Sequence, residues 1–179
     1  MIKYILHISI LTLIILIASC DDMHDKLRTE DDLPVTEATR IFVLSEGLIN
    51  LNNSSLAMYD FSVGAKSSDY FLTANKRGLG DTANDMGLYG SKLYVVVNVS
   101  SQIEVLDAGT GLSLKQIPLF NGQGMARQRR YIDFHGGKAY VCSFDGTGAK
   151  IDPTTLQIEG LVNCGRNPYG SSIANGKIY

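Results

Sequence analysis

Gly90-Ser91-Lys92-Leu93-Tyr94 returns as Gly136-Gly137-Lys138-Ala139-Tyr140 and again as Asn175-Gly176-Lys177-Ile178-Tyr179, at spacings of 46 and 39 residues. Each copy opens with Gly or Asn, which tolerate the positive φ of two-residue hairpin turns, and apolar stretches flank the first, Met86 to Tyr89 before it and Leu93 to Val97 after it. Asp60, Asp107 and Asp152 keep the same beat, 47 and 45 residues apart. Each ends a strand-like run and precedes a turn: Phe61-Ser62-Val63-Gly64, Ala108-Gly109-Thr110-Gly111 and Pro153-Thr154-Thr155. An Asp carboxylate can accept a hydrogen bond from the backbone two residues on and so open a turn. Their regular repetition marks these aspartates as structural.

Two landmarks in phase define a unit of 40–47 residues. The clearest unit places strands at Asp85–Tyr89, Leu93–Asn98, Gln102–Leu106 and Ser113–Pro118. The next places them at Tyr131–Phe134, Ala139–Ser143, Gly148–Ile151 and Glu159–Asn163. No segment carries a sustained helical period. Four antiparallel strands at this period predict an all-β fold, a β-propeller of four-stranded antiparallel blades. A β-sandwich would not require the same turn chemistry in every unit. Residues 39–179 are expected to hold about three blades and the start of a fourth.

Lys92-Leu93-Tyr94-Val95-Val96-Val97-Asn98 with Ile103-Glu104-Val105-Leu106-Asp107, and Ala139-Tyr140-Val141-Cys142 with Lys150-Ile151-Asp152, resemble the YVTN-type repeat of YncE-like propellers. Ile41-Phe42-Val43-Leu44-Ser45-Glu46-Gly47 followed by Gly78-Leu79-Gly80-Asp81-Thr82-Ala83-Asn84-Asp85-Met86 is similar to a subfamily of Bacteroidetes lipoprotein propellers, often encoded beside TonB-dependent transporters. The likeness covers most of Arg40 to Tyr179 and departs from the repeat at Cys142-Ser143-Phe144, where Thr-Asn is usual. The resemblance implies seven blades. Seven blades of about 45 residues need well over ~300 residues, so the chain is expected to be the N-terminal part of a longer propeller. It also implies a surface lipoprotein that captures a ligand, such as cobalamin, for its transporter. Related propeller shapes include lactonases and lyases, and a structural surface protein making protein or glycan contacts is a further alternative.

The N-terminus supplies the address. Lys3 precedes an uncharged apolar run, Tyr4 to Ile17, which ends in Ile17-Ala18-Ser19-Cys20. Charge, a short apolar stretch and small residues before the cleavage point make a secretory signal. Ile-Ala-Ser-Cys resembles the lipobox, which implies removal of residues 1–19, lipidation of Cys20 and a membrane anchor. Residues 20–38 read as a tether, with Asp21, Asp22, Asp25, Glu30, Asp31, Asp32 and Glu37 against Lys26 and Arg28. Acidic residues directly after the cysteine resemble a surface-export signal in Bacteroidetes-type lipoproteins and inner-membrane retention elsewhere. The propeller resemblance favours the outer membrane and its outer face.

Without Lys3 the mature chain has 15 basic and 18 acidic side chains, so no basic excess points to nucleic acid. Cys142 and Cys164 remain after lipidation, and either pair as a disulfide or sit as two reduced, buried thiols. The loops between second and third strands and those between blades share one propeller face, where ligands bind. They carry Arg77, Arg127, Arg129, Arg130 and Arg166, with Tyr131 and Tyr169 following. Arginine's planar fork suits carboxylate, phosphate or amide acceptors. Arg129, Arg130, Tyr131, Arg166, Asn98 and Asp145 are therefore the candidate contacts for a small-molecule or glycan ligand. His7, His24 and His135 have no metal-ligand spacing, and His135 alone is available in the mature domain as a base. No metal, cofactor or catalytic residue is expected, and the chain reads as a binding protein. Cys20→Ala is expected to abolish metabolic labelling with a fatty acid and to leave an unprocessed precursor; unchanged labelling refutes the lipobox.

Overall fold

Three tight turns set the repeat. Tyr89 pairs with Lys92 across Gly90-Ser91, His135 with Lys138 across Gly136-Gly137, and Ala174 with Lys177 across Asn175-Gly176. Gly136, Gly137, Asn175 and Gly176 all have positive φ, the geometry that lets a two-residue turn follow strand twist. The structure, a computed structural model, describes residues 38–120 and 128–179. Cys20, the signal segment, most of the acidic tether and Arg127 lie outside the described residues.

The strands are β1 (Arg40–Ser45), β2 (Ser55–Asp60) and β3 (Ala65–Ser67), then β4 (Ala83–Tyr89), β5 (Lys92–Val97), β6 (Gln102–Asp107) and β7 (Ser113–Pro118). They continue as β8 (Arg129–His135), β9 (Lys138–Ser143), β10 (Thr147–Asp152), β11 (Gln157–Asn163), β12 (Ile173–Ala174) and β13 (Lys177–Ile178). They form sheets β1-β2-β3, β4-β5-β6-β7, β8-β9-β10-β11 and β12-β13, each pairing in chain order and antiparallel. Two complete four-stranded blades thus stand between a three-stranded sheet and a terminal hairpin. The fold is a partial β-propeller.

Packing between blades explains the unbroken apolar run of β5. Tyr94 and Val96 enter one core with Ile103, Val105 and, from the next blade, Val141. Leu93, Val95 and Val97 enter another with Leu56 and Phe71 from the first sheet. Successive side chains point to opposite faces, and both faces are covered by a neighbouring sheet. The inner strands approach closely at Gly87, where a Cβ would meet the Phe134 ring at 2.6 Å.

The first sheet aligns with the second, third and fourth strands of a blade. Arg40 pairs with Asp60 on β1 and β2 as Lys138 pairs with Asp152 on β9 and β10, at 2.6 and 2.5 Å. Phe42 and Leu44 face the core shared with the second sheet. Ile41 and Val43, whose counterparts Leu93 and Val95 are buried, remain about half exposed. No innermost strand borders β1 among the described residues.

One element departs from the all-strand expectation. Tyr70–Asn75 is a short helix, α1. Asp69 caps its start by accepting the Leu72 N–H, and Lys76 ends it at φ 58°. It has too few turns for a helical period to register. Tyr70 and Phe71 plug the core between the first two sheets. Asn75 fastens the helix to the β6–β7 turn, donating to the Gly111 carbonyl and accepting from the Ser113 N–H, both at 2.8 Å.

The repeated aspartates act as read. Asp60 accepts the Ser62 N–H, Asp107 the Thr110 N–H, and Asp152 the N–H groups of Thr154 and Thr155. The Ser62 hydroxyl first, then Arg40, hold the Asp60 carboxyl down at about 2, below its ordinary 3.8. A lowered pKa stabilises the fold above the ordinary carboxylate value, and that contribution fades as pH falls towards the folded pKa. Denaturant midpoints from pH 7 to 2 are therefore expected to show Asp60→Asn as less stable than the parent at neutral pH, with the gap closing between about pH 4 and pH 2. A gap independent of pH refutes this role.

Candidate functional site

The loops at one end of the blades are tied to one another by backbone hydrogen bonds. Asn98 N–H donates to Thr82 O at 2.8 Å, Phe144 N–H to Gln128 O at 3.2 Å and Cys164 N–H to Gly146 O at 2.7 Å. The Asp81 and Gln128 N–H groups reach the Ser100 and Ser101 hydroxyls. Register fixes the level of each loop: Arg129 lies opposite Ser143, and Thr147 opposite Asn163. The β8 start, the β9–β10 loop and the β11 end consequently share this face.

A cavity of about 360 Å³ opens here, lined by Glu46, Leu48, Ile49, Thr82, Asn98, Gln128, Arg130 and Phe144 among others. Arg130 is its cation. Its guanidinium carbon lies 4.5 Å from the centre of the Phe144 ring and 5.0 Å from that of Tyr169. Cation–π attraction of this kind strengthens as water is removed. The Arg130 Nε is shut off from solvent with no acceptor among the described residues. Tyr131 stacks on Tyr169 with ring centres 5.2 Å apart. Hydrogen bonding to Tyr169, then burial, raises the Tyr131 hydroxyl above its ordinary value, and Arg130 opposes the shift.

A second concavity, of about 470 Å³, is lined by Tyr131, Tyr169, Ser171 and the inner-strand acids Asp85 and Asp133. Burial first, and the neighbouring Asp133 as the smallest cause, push the Asp85 carboxyl up; its acceptance of the Ile132 N–H at 2.7 Å works the other way. The Ser171 hydroxyl donates to Asp133. Among the described residues no three His, Cys, Asp or Glu side chains gather as a metal site. His135 ends β8 at the opposite end from Arg130. The arrangement offers planar donors, aromatic faces and a half-buried cation, which are means of binding.

The candidate residues separate by position. Arg130, Tyr131 and Asn98 lie at these concavities. Arg129 opens β8 beside Arg130, and Arg166 is exposed just beyond β11 on the same face. Asp145 stands in the β9–β10 loop on this face, where its Oδ1 accepts the N–H and the hydroxyl of Thr147, at 3.1 and 2.6 Å. Arg77, a loop arginine outside that set, pairs with buried Glu104 at 2.9 Å and stacks on Phe71. Cys142 is buried on β9 and Cys164 is exposed past β11. The two thiols are not bonded to each other, and Cys164 Sγ lies 3.0 Å from where a Cβ on Gly148 would be. Leu48 and Ile49 went unread, because a loop of Asn and Leu has no period to reveal it.

That loop is a built platform. Asp81 accepts the N–H groups of Asn50 and Asn52 at 3.2 and 3.1 Å and the Thr82 hydroxyl at 2.6 Å. The Thr82 hydroxyl, above all, holds the Asp81 carboxyl below its ordinary value. Asn53 Oδ1 accepts the Leu48 N–H, and the Ser54 hydroxyl donates to Glu46 O.

Neither a family model nor a curated protein matches the sequence. Solved structures do. The chain is similar to the computationally designed Ika8 protein, at 12% identity and a TM-score of 0.59, over 79% of this chain and 39% of that one. BamB from Moraxella catarrhalis, a β-propeller, aligns at 14% identity and a TM-score of 0.50, over 69% of this chain and 34% of that one. The designed Ika4 protein aligns at 14% identity and 0.56, over 77% and 82%. This chain spans little more than a third of the length of Ika8 or BamB. These likenesses establish the β-propeller fold.

Asp81→Ala is expected to speed hydrogen exchange at the Asn50 and Asn52 amides by roughly tenfold or more while β5 amides keep their protection. Unchanged exchange in the loop means that Asp81 does not hold it.

Proposed function

We propose that this chain is part of a lipid-anchored outer-membrane propeller of the YncE-like, surface-lipoprotein type. It binds a small acceptor-bearing ligand on its loop face and delivers it to a TonB-dependent transporter. The observation that carries the binding reading is Arg130, held against Phe144 and Tyr169 with a desolvated Nε at the edge of a 360 Å³ cavity. An arginine kept by aromatic rings, without a carboxylate partner among the described residues, has donors to offer a ligand. The Ile-Ala-Ser-Cys motif supports the anchor, and the repeat resemblance supports the transporter as partner; cobalamin, rich in amides and bearing a phosphate, is one ligand of this type. A glycan is the second reading, favoured by the Tyr131–Tyr169 pair beside Asp85 and Asp133.

A thermal-shift screen of acceptor-bearing small molecules on the full chain tests the proposal. A true ligand raises the midpoint with concentration, and Arg130→Ala is expected to weaken it by roughly tenfold or more, the loss of charge-assisted hydrogen bonds worth about 1.5–3 kcal/mol. A screen with no Arg130-dependent ligand overturns the reading.

A further inference from the structure

We infer that the Arg130 cavity takes an amphipathic monoanion, with a carboxylate on the guanidinium and an aliphatic body against Leu48 and Ile49. The inference rests on the cavity being the ligand site and adds the class of ligand.

Three observations converge on it. The first is the state of Arg130. Phe144 and Tyr169 offer it π-electron density and the Tyr131 hydroxyl a single oxygen, no carboxylate among the described residues pairs with it, and its buried Nε has no acceptor there. A guanidinium's donors lie in its plane as a fork that matches the two oxygens of a carboxylate.

The second is the loop across the cavity. Leu48, Ile49 and Leu51 are 65, 68 and 59% exposed, yet their backbone is anchored at many points. Asp81 takes the N–H groups of Asn50 and Asn52, Asn53 caps Leu48, and Leu51 N–H bonds to Leu48 O. Gly47, Asn50 and Asn52 are all held at positive φ, and a Cβ at Gly47 would collide with the Asn53 side chain at 2.4 Å. A mobile loop could fold its aliphatic side chains back onto the protein. This one is fixed so that they face outward, and contiguous apolar surface on a fixed turn marks a contact site. Leu48 and Ile49 line the same cavity as Arg130, so one ligand can touch both.

The third is charge. Glu46 lines the cavity beside these aliphatic residues. One carboxylate on Arg130 is balanced, whereas a second negative charge on the ligand would meet Glu46. A ligand with an uncharged, apolar remainder satisfies all three walls.

Calorimetric titration of the full chain with octanoate, acetate, 1-octanol and octanedioate tests this. Octanoate is expected to bind saturably, and the other three at least about tenfold more weakly, since acetate lacks the body, octanol the fork's partner, and octanedioate carries the second charge. Arg130→Gln, and separately Leu48→Ser with Ile49→Ser, are expected to weaken octanoate roughly tenfold or more. The wild-type series decides the matter even if a variant folds poorly. Absence of octanoate binding overturns the inference, as does equal affinity for acetate, octanol or octanedioate, or full affinity in either variant. A screened ligand that needs Arg130 and is not displaced by octanoate overturns this ligand class and leaves the binding function standing.

Discussion

Every described feature depends on β5 being buried from both sides. Leu93, Val95 and Val97 pack towards the first sheet, and Tyr94 and Val96 towards the third. Covering each of these side chains contributes about 1.5–3 kcal/mol relative to exposure. The gain exists only while three sheets stand face to face, so a single blade cannot hold the fold alone. Ile41 and Val43 show the converse at the first sheet. They occupy the positions of Leu93 and Val95 and stay half exposed where no sheet covers them.

Stacking imposes a register, and the register creates the loop face. Each second strand begins with a cation, each third strand ends with an aspartate that turns the chain, and in two of these sheets the two side chains also pair. Arg40–Asp60 and Lys138–Asp152 are pairs of this type, and Lys92 lies opposite Asp107. These contacts sit at one end of the sheets, next to the turns they shape. The other end is left to loops of varied length, which carry the cavity. The turn chemistry and the cavity are thereby separated along the strands, and loop changes need not disturb the cores.

This separation explains what was legible in the sequence. The turn residues at Gly90, Gly136 and Asn175 and the aspartates at 60, 107 and 152 act locally, through φ and through Asx hydrogen bonds, so their meaning is visible in a short window. Strand positions followed, and Ser113–Pro118 is read to the residue. Helix α1 escaped because its evidence is a cap and two plugs, Tyr70 and Phe71, whose partners lie on other strands. The cavity was only half visible for the same reason. Arg130 and Asn98 stand in loops that the repeat picks out. Phe144, Tyr169 and Leu48 join Arg130 only after three separate segments are brought together.

Arg77 and Arg130 show what a count of loop arginines misses. Both stack on an aromatic ring, at 4.7 Å from Phe71 and 4.5 Å from Phe144. What differs is the nearest acid. Glu104 is wholly buried, and leaving it without a cation would be costly. Arg77 neutralises it and, with the Ser113 hydroxyl, ties the first interblade connection to β6 and β7. That arginine is consumed by folding. Around Arg130 the corresponding acceptors are aromatic rings and a tyrosine hydroxyl, and the acids Asp85 and Asp133 are engaged by the Ile132 N–H and the Ser171 hydroxyl. The same side chain on the same kind of platform therefore neutralises an acid in one place and rests on aromatic rings in the other, according to whether the fold buries a carboxylate beside it.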